Sequence, residues 1–289
     1  MTLPAMTPGP TPATETVRVP ALGLDFEVLQ GDTIIGPAIA RGVWEEHETR
    51  LFRAHLVPGC RVLDLGANVG WFGAQAVMAG CEVHCFEPVP AIAEVCARNL
   101  ERAMRAGRGR AVLHRCAAGS ARGTAAIELS AANYGDNRVV DGVRPADMGS
   151  GERLSIRVER VDDLVEGPFR VVKIDTQGSE WHALAGMSRA LDASPEVAML
   201  LEFWPHALRG ATPEALLELL VARGFTVGKA TAAPYPMTPA RILRQARARD
   251  PIRGGLDLYA VRGLPFHVAG GVGGLRTRLR ALLRSVRED

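Results

Sequence analysis

The sequence predicts an α/β protein with a doubly wound, mostly parallel sheet, and three observations carry that prediction. From Pro58 onward short apolar runs alternate with helical patterns: strand 61–65 and helix 70–79, strand 81–87 and helix 90–105, then strand 111–116. The run Arg61-Val-Leu-Asp-Leu-Gly-Ala-Asn-Val-Gly70 passes from strand through a tight turn into a helix, the opening of a nucleotide-binding unit. A second passage of the same kind, Phe169-Arg-Val-Val-Lys-Ile-Asp-Thr-Gln-Gly-Ser-Glu180, ends its strand on Asp175.

In chain order, residues 1–16 are mostly Met, Thr, Pro, Ala and Gly, with no charge before Glu15. They lack the basic start and apolar core of a signal peptide and read as a disordered tail. Residues 17–57 form an N-terminal extension. Within it Val17–Val28 alternates like a hairpin turning at Gly23, Gly31–Gly36 is a loop, and Ile39 to Leu56 is helical. A helix just ahead of the first sheet strand lies across the crevice at the carboxyl ends of the strands, which makes Trp44 and Glu45 candidate substrate-lid residues. The same helix simply packed on the sheet is an equal reading.

The turn after strand 61–65 defines its ligand partly by what it lacks. Gly66 and Gly70 let the backbone turn sharply and let a ligand approach without a Cβ in the way. A dinucleotide turn needs Gly-x-Gly-x-x-Gly, and counting from Gly66 its later positions are filled by Asn68 and Trp71. A pyrophosphate is therefore disfavoured. Twenty-one residues after Gly66, strand 81–87 ends on Glu87, placed to bind the two hydroxyls of a ribose. A nucleoside with an amino-acid tail and no phosphates fits these features, which points to S-adenosylmethionine. Asp64 would help hold its ammonium group, directly or through water. Ala117 and Ala118, after the third strand, would leave a slot for the flat base.

An insertion follows, with strands at Thr124–Leu129 and Leu154–Val158 and a Gly/Asp/Asn-rich segment between them. Arg138 in that segment is a candidate to grip a carboxylate, with a solvated turn as the equal alternative. Strand 171–174 ends on Asp175, and strand Val197–Trp204 carries Glu202 with His206 close behind. Both acids are expected to face one cleft, with His206 able to accept a proton near neutrality. Glu202 as a helix cap and His206 as a plain first-turn residue are equal readings. Two acids at one cleft also permit a divalent cation, though no metal is predicted. Lys173, one of only two lysines, hints that an ammonium is wanted there. A helix over 213–223, a strand at Phe225–Lys229 and a last strand at Leu256–Val261 complete the main domain, 58–262. The connection 231–254 could cover the substrate. Residues 263–289 include a basic amphipathic helix over 273–287, expected to dock on its own domain or on a partner chain.

At 289 residues and 47% hydrophobic content the chain can bury a full core, and no apolar run reaches the length of a membrane span. A net charge of +2 argues neither for nor against nucleic acid. Five cysteines give no disulfide framework, so a reduced, cytoplasmic protein is expected.

The motifs together resemble the FkbM family of methyltransferases. The resemblance rests on Val62–Gly70 (VLDLGANVG), Glu87-Pro88, Asn99-Leu100 and VVKIDTQGSEWHALAG over 171–186, with WEEHETRLF (44–52) and LLEFWP (200–205) in support. It covers roughly residues 40–230. It implies a Rossmann-like class I fold, a seven-stranded sheet with one antiparallel strand, and S-adenosylmethionine-dependent methylation of a hydroxyl on a small natural product or sugar. Asp64, Gly66, Asn68, Gly70 and Glu87 would bind the cofactor, and Asp175 would sit where cofactor and acceptor meet. Asp175 and His206 are the candidates for positioning and proton acceptance, with Glu202 orienting one of them. The expected partner is a small molecule, with no nucleic acid and no membrane, and a homo-oligomer is compatible. Two rival classes stay open: a nucleic-acid methyltransferase, and a non-catalytic module that only binds S-adenosylmethionine.

Overall fold

The computed structural model describes residues 13–130, 135–139, 153–249 and 255–266. An N-terminal hairpin pairs β1 (Thr14–Val19) antiparallel with β2 (Leu24–Leu29). Strand β1 takes in residues 14–16, which the sequence had assigned to a disordered tail. Thr14, Glu15 and Thr16 pair with Leu29, Val28 and Glu27, so the partner strand recruits residues that have no hydrophobic reason of their own to order. The expected tail over residues 1–12 lies outside the described residues.

Two short helices, α1 (Ile35–Ala40) and α2 (Glu46–His55), replace the single helix expected over Ile39 to Leu56. Gly42 and Glu45 break it, with φ of 72° and 43°, values that no right-handed helix accommodates.

The main sheet then begins with β3 (Arg61–Leu65), α3 (Trp71–Met78), β4 (Glu82–Phe86), α4 (Pro90–Ala106) and β5 (Arg110–His114). A side sheet follows from β6 (Ala117–Ala118), β7 (Gly123–Glu128), β8 (Arg138–Val139) and β9 (Arg153–Glu159), in the order β6-β9-β7-β8. The chain returns through α5 (Val161–Leu164) to β10 (Val171–Ile174), then α6 (Glu180–Gly186), α7 (Ser188–Asp192) and β11 (Val197–Phe203). Helix α8 (Pro213–Ala222), β12 (Thr226–Lys229), α9 (Pro239–Arg247) and β13 (Leu256–Arg262) finish the sheet. Helix α9 fills part of the connection 231–254. Thr238 caps it by accepting from the Arg241 N–H at 3.4 Å, and Pro239 stands in the first turn, where its missing N–H costs nothing.

The seven strands run β12-β13-β11-β10-β3-β4-β5, and β13 alone is antiparallel to its neighbours. This is the sheet expected. Strands β3, β10 and β11 are apolar nearly throughout because helices cover both faces of a parallel sheet. Side-chain alternation splits the core in two. Val62, Val83 and Cys85 pack with α3 and α4 on one face, while Leu63, Leu65, Phe86, Val172 and Ile174 pack with α6 and α8 on the other.

The hairpin is tied to this frame through Asn99 on α4, which is fully buried. Its Nδ2 donates to the carbonyls of Glu27 (2.9 Å) and Val69 (2.8 Å), and its Oδ1 accepts from the Glu27 N–H at 2.7 Å. The basic helix expected over 273–287 lies outside the described residues, so its docking is not seen.

Candidate active site

The carboxyl ends of β3, β10 and β11 open into a cavity of about 440 Å³. Trp44 and Glu45 reach it from the break between α1 and α2, and Gly66 to Val69 from the first turn. Lys173, Asp175, Glu202 and Asp257 reach it from the strands, and Arg138 from β8. A narrower cavity of about 70 Å³ lies beside Glu87, Ala117, Ala118 and Ile127, and shares Gly66, Asn68, Asp175 and Gln177 with the larger one.

The first turn is shaped by the protein itself more than by any ligand. A Cβ on Gly66, whose φ is 86°, would stand 1.8 Å from the carbonyl oxygen of Asp175. The glycine is needed so that the end of β3 can pass the end of β10. The expectation that it makes room for a ligand is corrected to that extent. Gly70, φ 87°, precedes α3 and lines neither cavity; a Cβ there would lie 3.1 Å from the Cys96 sulfur. Asn68 takes φ 49° and lines both cavities. Its N–H donates to Glu87 Oε2 at 3.0 Å, and the Val89 N–H donates to Glu87 Oε1 at 2.9 Å. Burial pushes the Glu87 carboxyl up to about 7 despite these two bonds.

Asp64 is only 1% exposed and lies behind the cavity wall instead of lining it. Alternation explains this: Asp64 shares its face of the sheet with Val62, against α3. Burial raises its carboxyl to about 7, and its Oδ1 has no hydrogen-bond partner.

The larger cavity is dominated by charge. Lys173 is 2% exposed, with its Nζ 3.0 Å from Glu45 Oε2, 3.4 Å from Asp175 Oδ2 and 5.2 Å from the Phe72 ring centre. Burial works against its charge, but the carboxylates of Glu45, Asp175, Asp257 and Glu48 outweigh burial and hold the ammonium well above its ordinary range. Glu45 is raised to about 8 by burial, against the lowering pull of Lys173 and with smaller help from Asp175, Asp257 and Glu48. Burial likewise raises Glu202 well above the usual carboxylate range, helped by Asp175, Glu180 and Asp257; its Oε2 has no hydrogen-bond partner. Glu202 faces Asp257 across the β11–β13 register, so the two acids sit side by side. Arg138 lays its guanidinium 4.2 Å from the Trp204 ring centre and pairs with Asp136.

The strand ends thus bring together Asp175, Glu202, Trp44, Glu45, Arg138, Asn68, Glu87 and Ala117, as expected of one cleft. Asp64 and Gly70 are not among them, and neither is His206. It is exposed and lines neither cavity, because the turn after β11 carries it outward, so it is removed from the candidate proton acceptors. Asp257 and Gln177 were missed. The signal for Asp257 was an acid inside the apolar run Leu256-Asp-Leu-Tyr-Ala-Val261. Among the described residues no group of three His, Cys, Asp or Glu is arranged to hold a metal ion, and no helix is long and apolar enough to cross a membrane.

A doubly wound sheet in this strand order, with one reversed strand and a cleft at its carboxyl ends, defines the class I methyltransferase fold. Residues 64–227 match the family described as Methyltransferase FkbM domain. The chain belongs to that family of methyltransferases. Comparison with curated proteins returns no match. Among solved structures it is similar to a methyltransferase FkbM from Methylobacillus flagellatus KT, with 19% identity and a TM-score of 0.46 over 78% of this chain and 50% of that one. It is also similar to an O-methyltransferase from Bacillus cereus in complex with SAH, with 13% identity and a TM-score of 0.42 over 76% and 82% of the two chains. A third is the tRNA (uracil-54, C5)-methyltransferase of Pyrococcus abyssi, with 13% identity and a TM-score of 0.42 over 86% and 44%. The chain thus spans half the length of the Methylobacillus protein.

Proposed function

We propose that this chain uses S-adenosylmethionine to methylate a hydroxyl on a small molecule, a natural product or a sugar. The observation that carries the reading is the joined pair of cavities: a narrow slot beside Glu87 and Ala117 opening into a larger, acid-lined space at Asp175. The residues fit the cofactor. Glu87 keeps free lone pairs for a ribose diol beyond the two backbone N–H groups it accepts from. The surplus of carboxylates over cations in the larger cavity suits a ligand carrying an ammonium and a sulfonium. When bound, that ligand supplies an already activated methyl group.

The chain's own part is to hold the acceptor, exclude water and take a proton. Asp175, common to both cavities, positions the acceptor. Glu202, in the same cavity and with an Oε2 that has no hydrogen-bond partner, stands where it can accept the hydroxyl proton. Trp44 and Glu45 close the cavity from the α1–α2 break, and Arg138 borders it from β8. Five free cysteines support a reducing, cytoplasmic setting.

Calorimetric titration with S-adenosylmethionine, S-adenosylhomocysteine and NAD, with and without Mg²⁺, tests the cofactor. Binding of the first two, weakened in Glu87→Gln, is expected. Binding of NAD alone would overturn the reading. Transfer of labelled methyl to a panel of hydroxylated small molecules, lost in Glu202→Gln, tests the chemistry. Methyl transfer to RNA with salt-dependent binding would instead favour a nucleic-acid substrate.

A further inference from the structure

At the amino end of the sheet, opposite the cavities, two cysteines stand together that methyl transfer does not use. Cys60 immediately precedes β3 and Cys81 immediately precedes β4. Their sulfurs are 3.3 Å apart, and the Cys81 thiol also reaches the Val57 carbonyl at 3.4 Å. The backbone fixes this proximity: the Gly59 N–H donates to the Gly80 carbonyl and the Glu82 N–H to the Cys60 carbonyl, each at 2.9 Å.

The two thiols are unequal. Cys81 is 1% exposed, whereas Cys60 is partly exposed and lines an open cleft of about 430 Å³ with Arg61, Arg170 and Glu196. The hydrogen bond with Cys81 draws the Cys60 thiol down to about 7, against burial and with help from the Val57 backbone and Arg170. The same bond and burial push Cys81 up. Thiolate character therefore falls on the accessible sulfur and the proton stays on the buried one, the division of labour between an attacking and a resolving cysteine. Cys85, Cys96 and Cys116 are buried, with thiols raised by burial, and are poor nucleophiles.

We propose that Cys60 and Cys81 form a thiol–disulfide exchange site that takes a low-molecular-weight disulfide from solution. The Cys60 thiolate attacks one sulfur of that disulfide, its S–S bond breaks, and one small thiolate leaves and is protonated. Cys81 then gives its proton to solvent and attacks the Cys60 sulfur of the mixed disulfide, releasing the second small thiol. Two protein thiols are oxidised to one disulfide while the small disulfide is reduced to two thiols. Closing the sulfurs to bonding distance needs about 1.3 Å of approach, within reach of side-chain rotation. The product clamps the amino ends of the two strands whose carboxyl ends carry Asp64 and Glu87.

The test incubates the reduced full-length protein with oxidised glutathione, followed by intact mass and peptide mapping under non-reducing conditions. The expected result is loss of two hydrogens, a cross-linked peptide joining residues 60 and 81, and three alkylatable thiols of five remaining after denaturation. Cys81→Ser should trap glutathione on Cys60, Cys60→Ser should abolish both adduct and cross-link, and Cys96→Ser should behave as wild type. A glutathione adduct that persists on wild-type Cys60, a cross-link between any other pair, or no reaction in the folded protein would overturn the proposal. Mapping of the wild type alone decides the matter if a variant does not fold.

Discussion

Among the described residues Lys173 is the only cation paired with Glu45 and Asp175 in the larger cavity, and its removal strands two largely buried carboxylates. Lys173→Met is expected to cost about 3–5 kcal/mol, the usual penalty for breaking a buried pair. Adding Glu45→Gln and Asp175→Asn should restore part of it, because the orphaned charges go too; chemical denaturation of the three proteins checks this, and a simple sum of losses would refute the pairing. Glu87→Gln keeps the shape of the slot but removes a charge that accepts from two N–H groups and, as proposed, from a ribose. Its expected effect is a roughly 10–100-fold loss of S-adenosylmethionine affinity, equivalent to about 1.5–3 kcal/mol. At this scale the sequence was readable where a residue was unusual for its place. One of two lysines, and the acids Glu87, Asp175 and Glu202 near their strand ends, could be singled out. Asp257 was equally unusual inside its apolar run, but its role comes from lying opposite Glu202, on a strand 55 positions away, a register that no local pattern encodes.

The hairpin, α4 and the first turn behave as one unit because Asn99, on α4, bonds to the other two, with Glu27 further gripped by Arg98 at 2.7 Å and by Arg102. Asn99→Ala leaves the Glu27 N–H and two carbonyls without their buried partner, and a loss of about 3 kcal/mol is expected. Hydrogen exchange should then quicken in β1, β2 and residues 66–70 together; quickening confined to the hairpin would break the link to the turn. Strands and helices from 61 to 106 were legible because their apolar period and turn residues agree with the tertiary structure. The break between α1 and α2 was not. Glu45 has no intrinsic preference for a left-handed backbone, and the ion pair with Lys173 rewards that conformation only once the sheet is assembled. Residues 14–16 at the start of β1 escaped notice for the same reason, since they are ordered only by pairing.

Across the whole molecule, stability should depend on pH in a direction set by buried acids. Glu45 is raised to about 8, and Glu48, Asp64 and Glu87 to about 7, so the folded state keeps protons that the unfolded chain has already released. Their contribution is full below the ordinary carboxylate range and is lost as pH rises through 7 to 8. His114, lowered to about 4 by burial, acts oppositely, but only below the ordinary histidine value. The Cys60 thiol, drawn down to about 7, opposes the acids within the window as one group against four, so between about pH 6.5 and pH 8 the acids dominate, and Tm should fall by several degrees. Glu45→Gln should flatten that slope, and a Tm that rises over the window would contradict the electrostatics of the cavity. The reversal of β13 has a consequence for biosynthesis. Strand β12 leaves the ribosome before β13 yet pairs with no other strand, and β11 waits for the same partner. Until Leu256–Arg262 emerge, the apolar edge Val197-Ala-Met-Leu-Leu-Glu-Phe203 stays open, the kind of edge on which nascent chains aggregate. Chains stalled or truncated before residue 256 should accordingly need a chaperone to stay in solution, and those extending past 262 should not.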